Sequence, residues 1–508
     1  MKYFLKIILT FAVSSMPIFA QTQIADSSIA HPHRNALINS LAQPTIIWAT
    51  NWYLLDQFWA DISMRTLQNN IETGWVWDED PFDVNQVGHP TQGALVYTAA
   101  RAQGLSYWQS LAYPTLASLI WEVGMENESP SINDMITTPT SGVAFGEIMH
   151  RMSALLLGEG QVKPAWRQVL SAVSNPGGYG VNRLIFGTKI HQNYRYEPTP
   201  VLAGLSLGAG PGFEDDTPEN KTPRRFARLN LVYGNPFSKH KNFKPFDNFM
   251  FVAVMNVGRK DYVGEIYASG MVFRLHQYEK KKHRATLGIF QNYDFMNNDD
   301  YKVSSSSIGP GMMHNYAVTP ELSFRTQVAT SFIFMGSAGD TSDEIPDDGL
   351  EVRDYHFGPG FSGKLITKVS WAERGDLYLR LKRYFIYVAG DDEIEGFENI
   401  NILNMGFQAR ILKSYSLGGE YGKVGRSVTY LDDSWRDTLQ TGSIYRFYIH
   451  YHISESLFKK FKGMITIKIR KKTKMNCVLY QSYLHMGALC HTSLRLRSGQ
   501  AGSARHPF

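Results

Sequence analysis

The amino-acid sequence predicts an α+β protein in which an N-terminal helical module precedes an antiparallel transmembrane β-barrel of about 12 strands. Two observations predict this fold class. Before about residue 188, apolar residues recur at the spacing of amphipathic helices, whereas after residue 199 polar and apolar residues alternate with a period of two. The chain of 508 residues is long enough to hold both parts.

The alternating runs indicate the barrel, which we expect over residues 199–455. In 376–384 (DLYLRLKRY) and 443–453 (SIYRFYIHYHI), apolar or aromatic residues alternate with polar, often basic ones. Runs of about ten residues suit transmembrane strands, whereas strands elsewhere average about 5–6 residues. The alternative is a large soluble β-sandwich. The twelve runs are 199–210, 225–234, 248–257, 262–277, 284–294, 303–313, 321–335, 353–368, 376–389, 400–413, 416–430 and 442–453.

Residues 1–20 have the features of a secretory signal peptide. Lys2 and Lys6 precede the short apolar core 7–13, and Ala20 ends a plausible cleavage site. An uncleaved anchor is the alternative. The cysteines of the chain are Cys477 and Cys490, so the body has no disulfide framework. We therefore expect export through the periplasm to the cell outer membrane of a Gram-negative envelope, with membrane lipid as a partner.

The net charge of +5 comes from the C-terminal tail, residues 456–508. Eleven Lys and Arg and no acid follow Ser456, so the preceding residues carry a charge of −6. This balance excludes a basic surface for nucleic acid. The tail is expected to be disordered or non-native sequence, and the alternative is a basic arm that binds anionic lipid.

The N-terminal part divides into a linker over residues 21–45 and a helical domain over 46–188. The linker is polar and has no periodicity, whereas Trp48, Trp52 and Trp59 recur at helical spacing. Tryptophan at this density suits either a membrane–water interface or a helical core.

Five short motifs of the helical domain carry a resemblance to a known family. They are Gly88-His89-Pro90, Trp121-Glu122, Pro130-Ser131-Ile132-Asn133-Asp134, Gly146-Glu147 and Asn182-Arg183. In order and spacing, residues 75–188 resemble domain-of-unknown-function family 3943, an uncharacterised family of Gram-negative envelope proteins. The resemblance implies an outer-membrane-associated protein with a β-rich C-terminal part, and it implies no activity.

The same domain concentrates acids and histidines in apolar, helix-like sequence, which makes them candidate catalytic residues. The candidates are Glu122, Asp134, Glu147, His150 and His89. If they converge, they could act on lipid or glycan by acid–base chemistry. The structural alternative is that Glu122 is buried against Arg151 or Arg183, and that Ser131 and Asp134 cap a helix.

Motifs for metals and cofactors are weak. Glu147 and His150 have the spacing of half a di-iron site, but no second Glu-x-x-His follows. His89 or Asp134 could complete a mononuclear site only through long-range coincidence. No Gly-x-Ser-x-Gly elbow, phosphate loop or zincin motif is present. We therefore predict no metal site and no cofactor.

Candidate binding residues lie in both parts of the chain. They are Arg151, Asn182, Arg183, Arg228, Arg380, Lys382 and Arg446. The basic residues of the barrel would face its lumen and favour anionic solutes or lipopolysaccharide, or they simply line a hydrated interior. Three hypotheses follow: a barrel for solute passage or envelope maintenance with helices in the periplasm or at its mouth, an outer-membrane enzyme, and an assembly partner of an envelope complex.

Overall fold

The computed structural model describes residues 30–77, 80–157, 164–186, 201–211, 224–239, 242–258, 262–297, 301–339, 355–372, 374–389, 395–431 and 438–453. The expected signal peptide (1–20) and the expected tail (456–508) lie outside these ranges. The helices are α1 Pro32–Leu55, α2 Met64–Thr73, α3 His89–Ala102, α4 Tyr107–Ser110, α5 Ala112–Gly124, α6 Ile132–Leu157, α7 Ala165–Ser174 and α8 Asn182–Phe186. Short turns of other helical type occur at Phe58–Ala60, Val84–Gly88 and Pro176–Val181.

Helix α1 corrects the expected linker over 21–45, because residues 32–45 are helical. Pro32 occupies the first turn, where a proline is well tolerated. The buried face includes three amides at four-residue spacing: Asn35, Asn39 and Gln43. Their side chains donate to Gln103, Asn182 and the Leu95 carbonyl oxygen. A buried stripe of polar side chains gives no apolar periodicity, so the sequence pattern does not indicate this part of the helix.

Helices α3 and α6 cross in close contact. A Cβ atom added to Gly142 would lie 2.8 Å from the Cα of Gly93, and one on Gly146 would meet the Tyr97 ring at the same distance. The small residues at Gly142 and Gly146, spaced one turn apart, therefore allow the two helices to approach closely. Within the described part of the chain, no helix combines the length and apolar composition needed to cross a membrane.

The described residues of the C-terminal part form twelve antiparallel strands that close into one barrel, which confirms the predicted fold class and excludes the sandwich. Each strand pairs with its neighbours in sequence, and β1 pairs with β12. The strands are β1 Val201–Gly210, β2 Arg224–Tyr233, β3 Phe249–Val257, β4 Val263–Lys280, β5 His283–Asn297, β6 Lys302–Ala317, β7 Leu322–Gly339, β8 Tyr355–Trp371, β9 Gly375–Tyr387, β10 Gly396–Leu412, β11 Tyr415–Tyr430 and β12 Thr438–His452.

Alternate residues of each strand face the lumen or the outside. Arg228 on β2 contacts Glu420 on β11, a strand three positions away around the barrel, so these side chains meet inside the lumen. The opposite set is largely apolar and exposed, for example Leu287, Leu381 and Phe447. The alternation in the sequence therefore separates a charged interior from an apolar exterior.

The helical domain packs on the outward face of β2–β8. One row of successive strand partners lies beneath it or at its edge: Leu231, Phe251, Ala268, Tyr293, Ser306 and Met335. The Tyr293 hydroxyl donates to the Gln86 carbonyl oxygen, and Gln291 donates to the Thr140 carbonyl oxygen at 2.9 Å. Phe82 stacks on Phe295. The helices are thus joined to the barrel wall and share a hydrophobic core with it.

Candidate functional site

Three candidate residues of the helical domain converge: His89, Glu122 and Asp134. His89 is the first residue of α3, Glu122 lies near the end of α5, and Asp134 lies in the first turn of α6. All three are buried, with Glu122 at 0% exposure. One nitrogen or oxygen of each lies within 4.8 Å of the others. We call these three residues the His–Glu–Asp cluster.

The start of α6 explains how two of these carboxylates are placed. Ser131 caps the helix, because its hydroxyl accepts from the Asp134 N–H at 3.1 Å, as predicted. In a full capping box the Ser131 N–H would bond to the side chain of Asp134. It donates to Glu122 Oε2 instead, at 3.0 Å. The Asp134 carboxylate faces His89, with Oδ2 3.7 Å from Nε2.

Further acids surround the His–Glu–Asp cluster. Burial raises the pKa of Glu126, and the charges of Glu122 and Asp80 raise it further. Glu126 is half-buried and accepts from Trp121 Nε1 at 2.9 Å, whereas Glu128 is exposed. The electrostatic environment therefore disfavours additional negative charge.

Glu147 and His150 belong to a different cluster farther along α6. Arg101 and Arg151 contact the Glu147 carboxylate at 2.8 and 2.9 Å, and the Tyr97 hydroxyl donates to it at 2.7 Å. Burial alone would raise the pKa of Glu147, but the two guanidinium charges outweigh it and lower the pKa to about 2. Burial and the Arg101 charge lower the pKa of His150 to about 3. We call this group the Glu147 cluster.

The two clusters are too far apart for one active site. Asp134 and Glu147 are thirteen residues apart on one helix, which is roughly 20 Å at about 1.5 Å per residue. Catalytic groups must reach one substrate by hydrogen bonding. The expected convergence of Glu122, Asp134, Glu147, His150 and His89 is therefore wrong for the set as a whole.

The candidate binding residues of the helical domain hold its elements together. Arg151, expected opposite Glu122, instead pairs with Glu147 and also reaches Asp247 of the β2–β3 connection at 3.1 Å. Asn182 accepts from Asn39 at 3.0 Å and from Gln103. Arg183, the other expected partner of Glu122, donates to the Tyr179 hydroxyl at 2.9 Å. These contacts join helices to one another and, through Arg151, to the barrel.

Three of the four basic candidates of the barrel share one acid across the lumen, and the fourth, Lys382, pairs with a different acid. Glu420 contacts Arg228 at 2.8 Å, Arg446 at 3.1 Å and Arg380 at 3.7 Å. Arg446 also reaches Glu265. We define the lumen belt as Arg228, Lys364, Arg380, Lys382, Arg446, Glu265, Asp294 and Glu420.

On the other side of the lumen belt, Asp294 on β5 is the common partner of two lysines. Lys382 on β9 lies 3.6 Å from it, and Lys364 on β8 contacts it directly. The Lys382 ammonium also lies 3.0 Å from the centroid of the Tyr267 ring. Sequence reasoning selected four of the five bases and missed Lys364 and the three acids Glu265, Asp294 and Glu420. The missed signal was an acid at a lumen-facing position of a predicted strand.

A closed antiparallel barrel that carries a helical domain on its outer wall defines the structural class of this protein. Within that domain, residues 74–177 match the model of a family described as "Domain of unknown function (DUF3943)", which confirms the resemblance predicted from the motifs. The matched segment contains all three residues of the His–Glu–Asp cluster. A search of curated proteins gives no match to this chain.

Among solved structures, outer-membrane barrels are similar to half of the chain. The KdgM porin is 11% identical, with 50% of this chain and 98% of the porin covered and a TM-score of 0.21. The outer-membrane channel DcaP of Acinetobacter baumannii is 8% identical, with 50% and 97% covered and a TM-score of 0.21. OmpT of Vibrio cholerae is 9% identical, with 50% and 100% covered and a TM-score of 0.19.

Proposed function

We propose that this protein is an outer-membrane β-barrel that gives small anionic solutes a narrow path through its lumen. Its outward side chains support the membrane location: Leu381 on β9, Phe407 on β10 and Phe447 on β12 are exposed on the wall. Strands of 9–18 residues are long enough, because a spanning strand needs about 9–11 residues. An apolar exterior around a charged interior is the pattern of a transmembrane barrel.

The observation that carries the proposal is the lumen belt. Its side chains come from strands on different sides of the barrel and meet in ion pairs, so the lumen is narrow at this level. The belt contains five basic and three acidic side chains, which leaves an excess of positive charge. Guanidinium and ammonium groups bind carboxylate and phosphate, so the bases in excess over the acids of the belt can bind a small anion on its way through. Large solutes would be excluded by the crossing side chains.

A second candidate function is envelope maintenance, with the barrel as the membrane anchor of the helical domain. The specific observation is the contact between the two parts. Arg151 and Gln291 bridge them by hydrogen bonds, and Phe82 stacks on Phe295. In this function the ion pairs of the lumen belt stabilise the barrel, and no solute passes through the lumen. An assembly role with another envelope complex would use the same anchoring.

Planar-bilayer recording of the refolded protein tests the first function. We expect small single-channel currents that favour chloride over potassium. Arg380→Gln removes the most exposed base of the belt's Glu420 group, whose side chain is 23% accessible, and should lower the chloride-to-potassium permeability ratio at least about twofold. Arg383→Gln is the matched control, because Arg383 is three residues farther along β9 and faces outward, where it is exposed and bonds Asn399.

Two results would contradict solute passage. Folded protein that inserts into the bilayer without any conductance would favour the anchoring function. Equal permeability ratios for Arg380→Gln and Arg383→Gln would show that the belt does not select the permeating ion. Folding of each variant is checked first by the heat-modifiable mobility of the barrel on gels.

A further inference from the structure

We propose that His89, Glu122 and Asp134 form a structural binding site for a divalent transition-metal ion such as Zn²⁺. Imidazole nitrogen and carboxylate oxygen are ordinary zinc ligands, at about 2.0–2.2 Å from the ion. The three residues come from α3, α5 and α6, so one ion would join three elements that are distant in sequence. The proposal is independent of passage through the barrel.

The spacing of the donor atoms fits a shared ion. Two ligands of a tetrahedral ion that each lie about 2.1 Å from it are about 3.4 Å apart. The three donor atoms already lie within 4.8 Å of one another. A movement of less than about 1 Å by each donor atom, which rotation of its side chain supplies, would bring the three to bonding distance.

Two of the proposed ligands are oriented by neighbouring groups, as metal ligands commonly are. His89 Nδ1 lies 3.3 Å from the Thr138 hydroxyl, which leaves Nε2 directed toward Asp134. The Ser131 N–H holds Glu122 Oε2 at 3.0 Å, so the direction of that carboxylate is also fixed. The donors are therefore arranged before any ion binds.

Two further polar groups next to the cluster are buried and lack a hydrogen-bond partner among the described residues. Thr137 is 1% exposed and lies one turn beyond Asp134 on α6, and its Oγ1 is unpartnered. Gln92 is 7% exposed and lies one turn beyond His89 on α3, and its Nε2 is unpartnered. Unpaired buried polar atoms are rare, and an ion that carries a water molecule would supply partners for them.

The charges around the cluster favour a cation. Glu122 and Asp80 both lie close enough to Glu126 for their negative charges to act on it. A divalent ion would offset this repulsion in a region where water contributes little. Because the ligands are nearly fully buried, no substrate can reach the ion, and its role would be to hold the helices together.

Zinc titration of the full-length refolded protein in detergent, with a chromophoric chelator as competitor, tests the proposal. The wild-type protein should bind one equivalent of Zn²⁺ at this site. The variants Asp134→Asn and His89→Gln should bind that equivalent at least about tenfold more weakly. Asp83→Asn is the matched control, because Asp83 lies six residues before His89 and outside the cluster. Comparison between variants also cancels any zinc bound by Cys477, Cys490 and the C-terminal histidines.

X-ray absorption of the zinc-loaded wild type gives a readout that needs no variant. We expect oxygen and nitrogen ligands with a single imidazole. A spectrum dominated by sulfur would place the ion on the tail cysteines and overturn the proposal. Equal zinc affinity in wild type and folded Asp134→Asn would also overturn it, and would leave His89 and Asp134 as an ordinary buried ion pair.

Discussion

The two buried ionisable clusters on α6 differ in how their charge is balanced. Glu147 has two guanidinium groups and a tyrosine hydroxyl on its carboxylate, so its charge is compensated within the protein. The His–Glu–Asp cluster places two carboxylates and one imidazole within 4.8 Å, with more acids nearby. A buried acid with a histidine nearby can therefore have either of two different roles. A carboxylate whose charge is compensated by cations holds helices together, whereas a cluster with an excess of acidic side chains is suited to binding a cation.

Removal of a guanidinium group that compensates Glu147 should give the largest change in the free energy of unfolding. Arg101→Met leaves Glu147 buried with Arg151 as its remaining cation, and breaking a buried ion pair in this way costs about 3–5 kcal/mol. Urea unfolding followed by tryptophan fluorescence measures it, because all tryptophans except Trp371 and Trp435 precede the barrel.

The matched control for this variant is Arg167→Met. Arg167 lies on α7 and stacks over the Trp166 ring near the surface, so its loss should change the free energy of unfolding by about 0.5 kcal/mol or less. If both variants unfold at the same urea concentration, the Glu147 cluster does not stabilise the helical domain.

The second-largest effect should be a pH dependence of the free energy of unfolding that comes from His150 in the Glu147 cluster. Unfolded His150 takes up a proton below about pH 6.5, whereas the folded residue resists protonation down to a pKa of about 3. The unfolded state therefore binds more protons between these values, and stability falls as the pH falls, by about 1.4 kcal/mol per pH unit.

His150→Gln should remove this part of the dependence. Unfolding is compared at pH 7.5 and pH 5, above the window from about 4.5 to 2 in which protonation of Glu147 also reduces stability. Glu126, with its raised pKa, acts in the opposite direction and is common to both proteins. An unchanged difference between the two pH values in the variant would show that His150 is not kept neutral by its surroundings.

The smallest expected effect concerns the cap of α6. Ser131→Ala removes the hydroxyl that accepts from the Asp134 N–H, but it keeps the backbone N–H that holds Glu122. We expect a loss of about 1 kcal/mol in the free energy of unfolding. Zinc affinity should change little if the cap only begins the helix. A loss of zinc affinity as large as that of Asp134→Asn would contradict this division of roles.

The barrel could be predicted from the sequence because its signal is local. Alternation along each strand sets which side chains face inward, and the segment that ends at Ile453 shows it without any knowledge of its partners. The helix α1 could not be predicted in full. Its buried face includes Asn35, Asn39 and Gln43, and each of these amides donates to a residue between 52 and 143 positions away in sequence.

The candidate site was predictable by residue type and not by grouping. The sequence identifies His89, Glu122 and Asp134 as candidate residues. It does not show that these three come together while Glu147 and His150 lie elsewhere. Ser131 illustrates why: its spacing to Asp134 predicts a capping box, and a residue on a different helix, Glu122, takes one of the two bonds. Competition between local and long-range partners is decided only in three dimensions.

The position of the helices on the outward wall has a consequence for the solvent shell of the barrel. At the level of Tyr293 and Ser306, strand side chains are covered by protein, and Ser304 and Gln291 place polar groups outward to bond with it. A continuous annulus of lipid or detergent therefore cannot close around the barrel at that level. The amphiphile contacts an open arc instead, and the helical domain completes the ring.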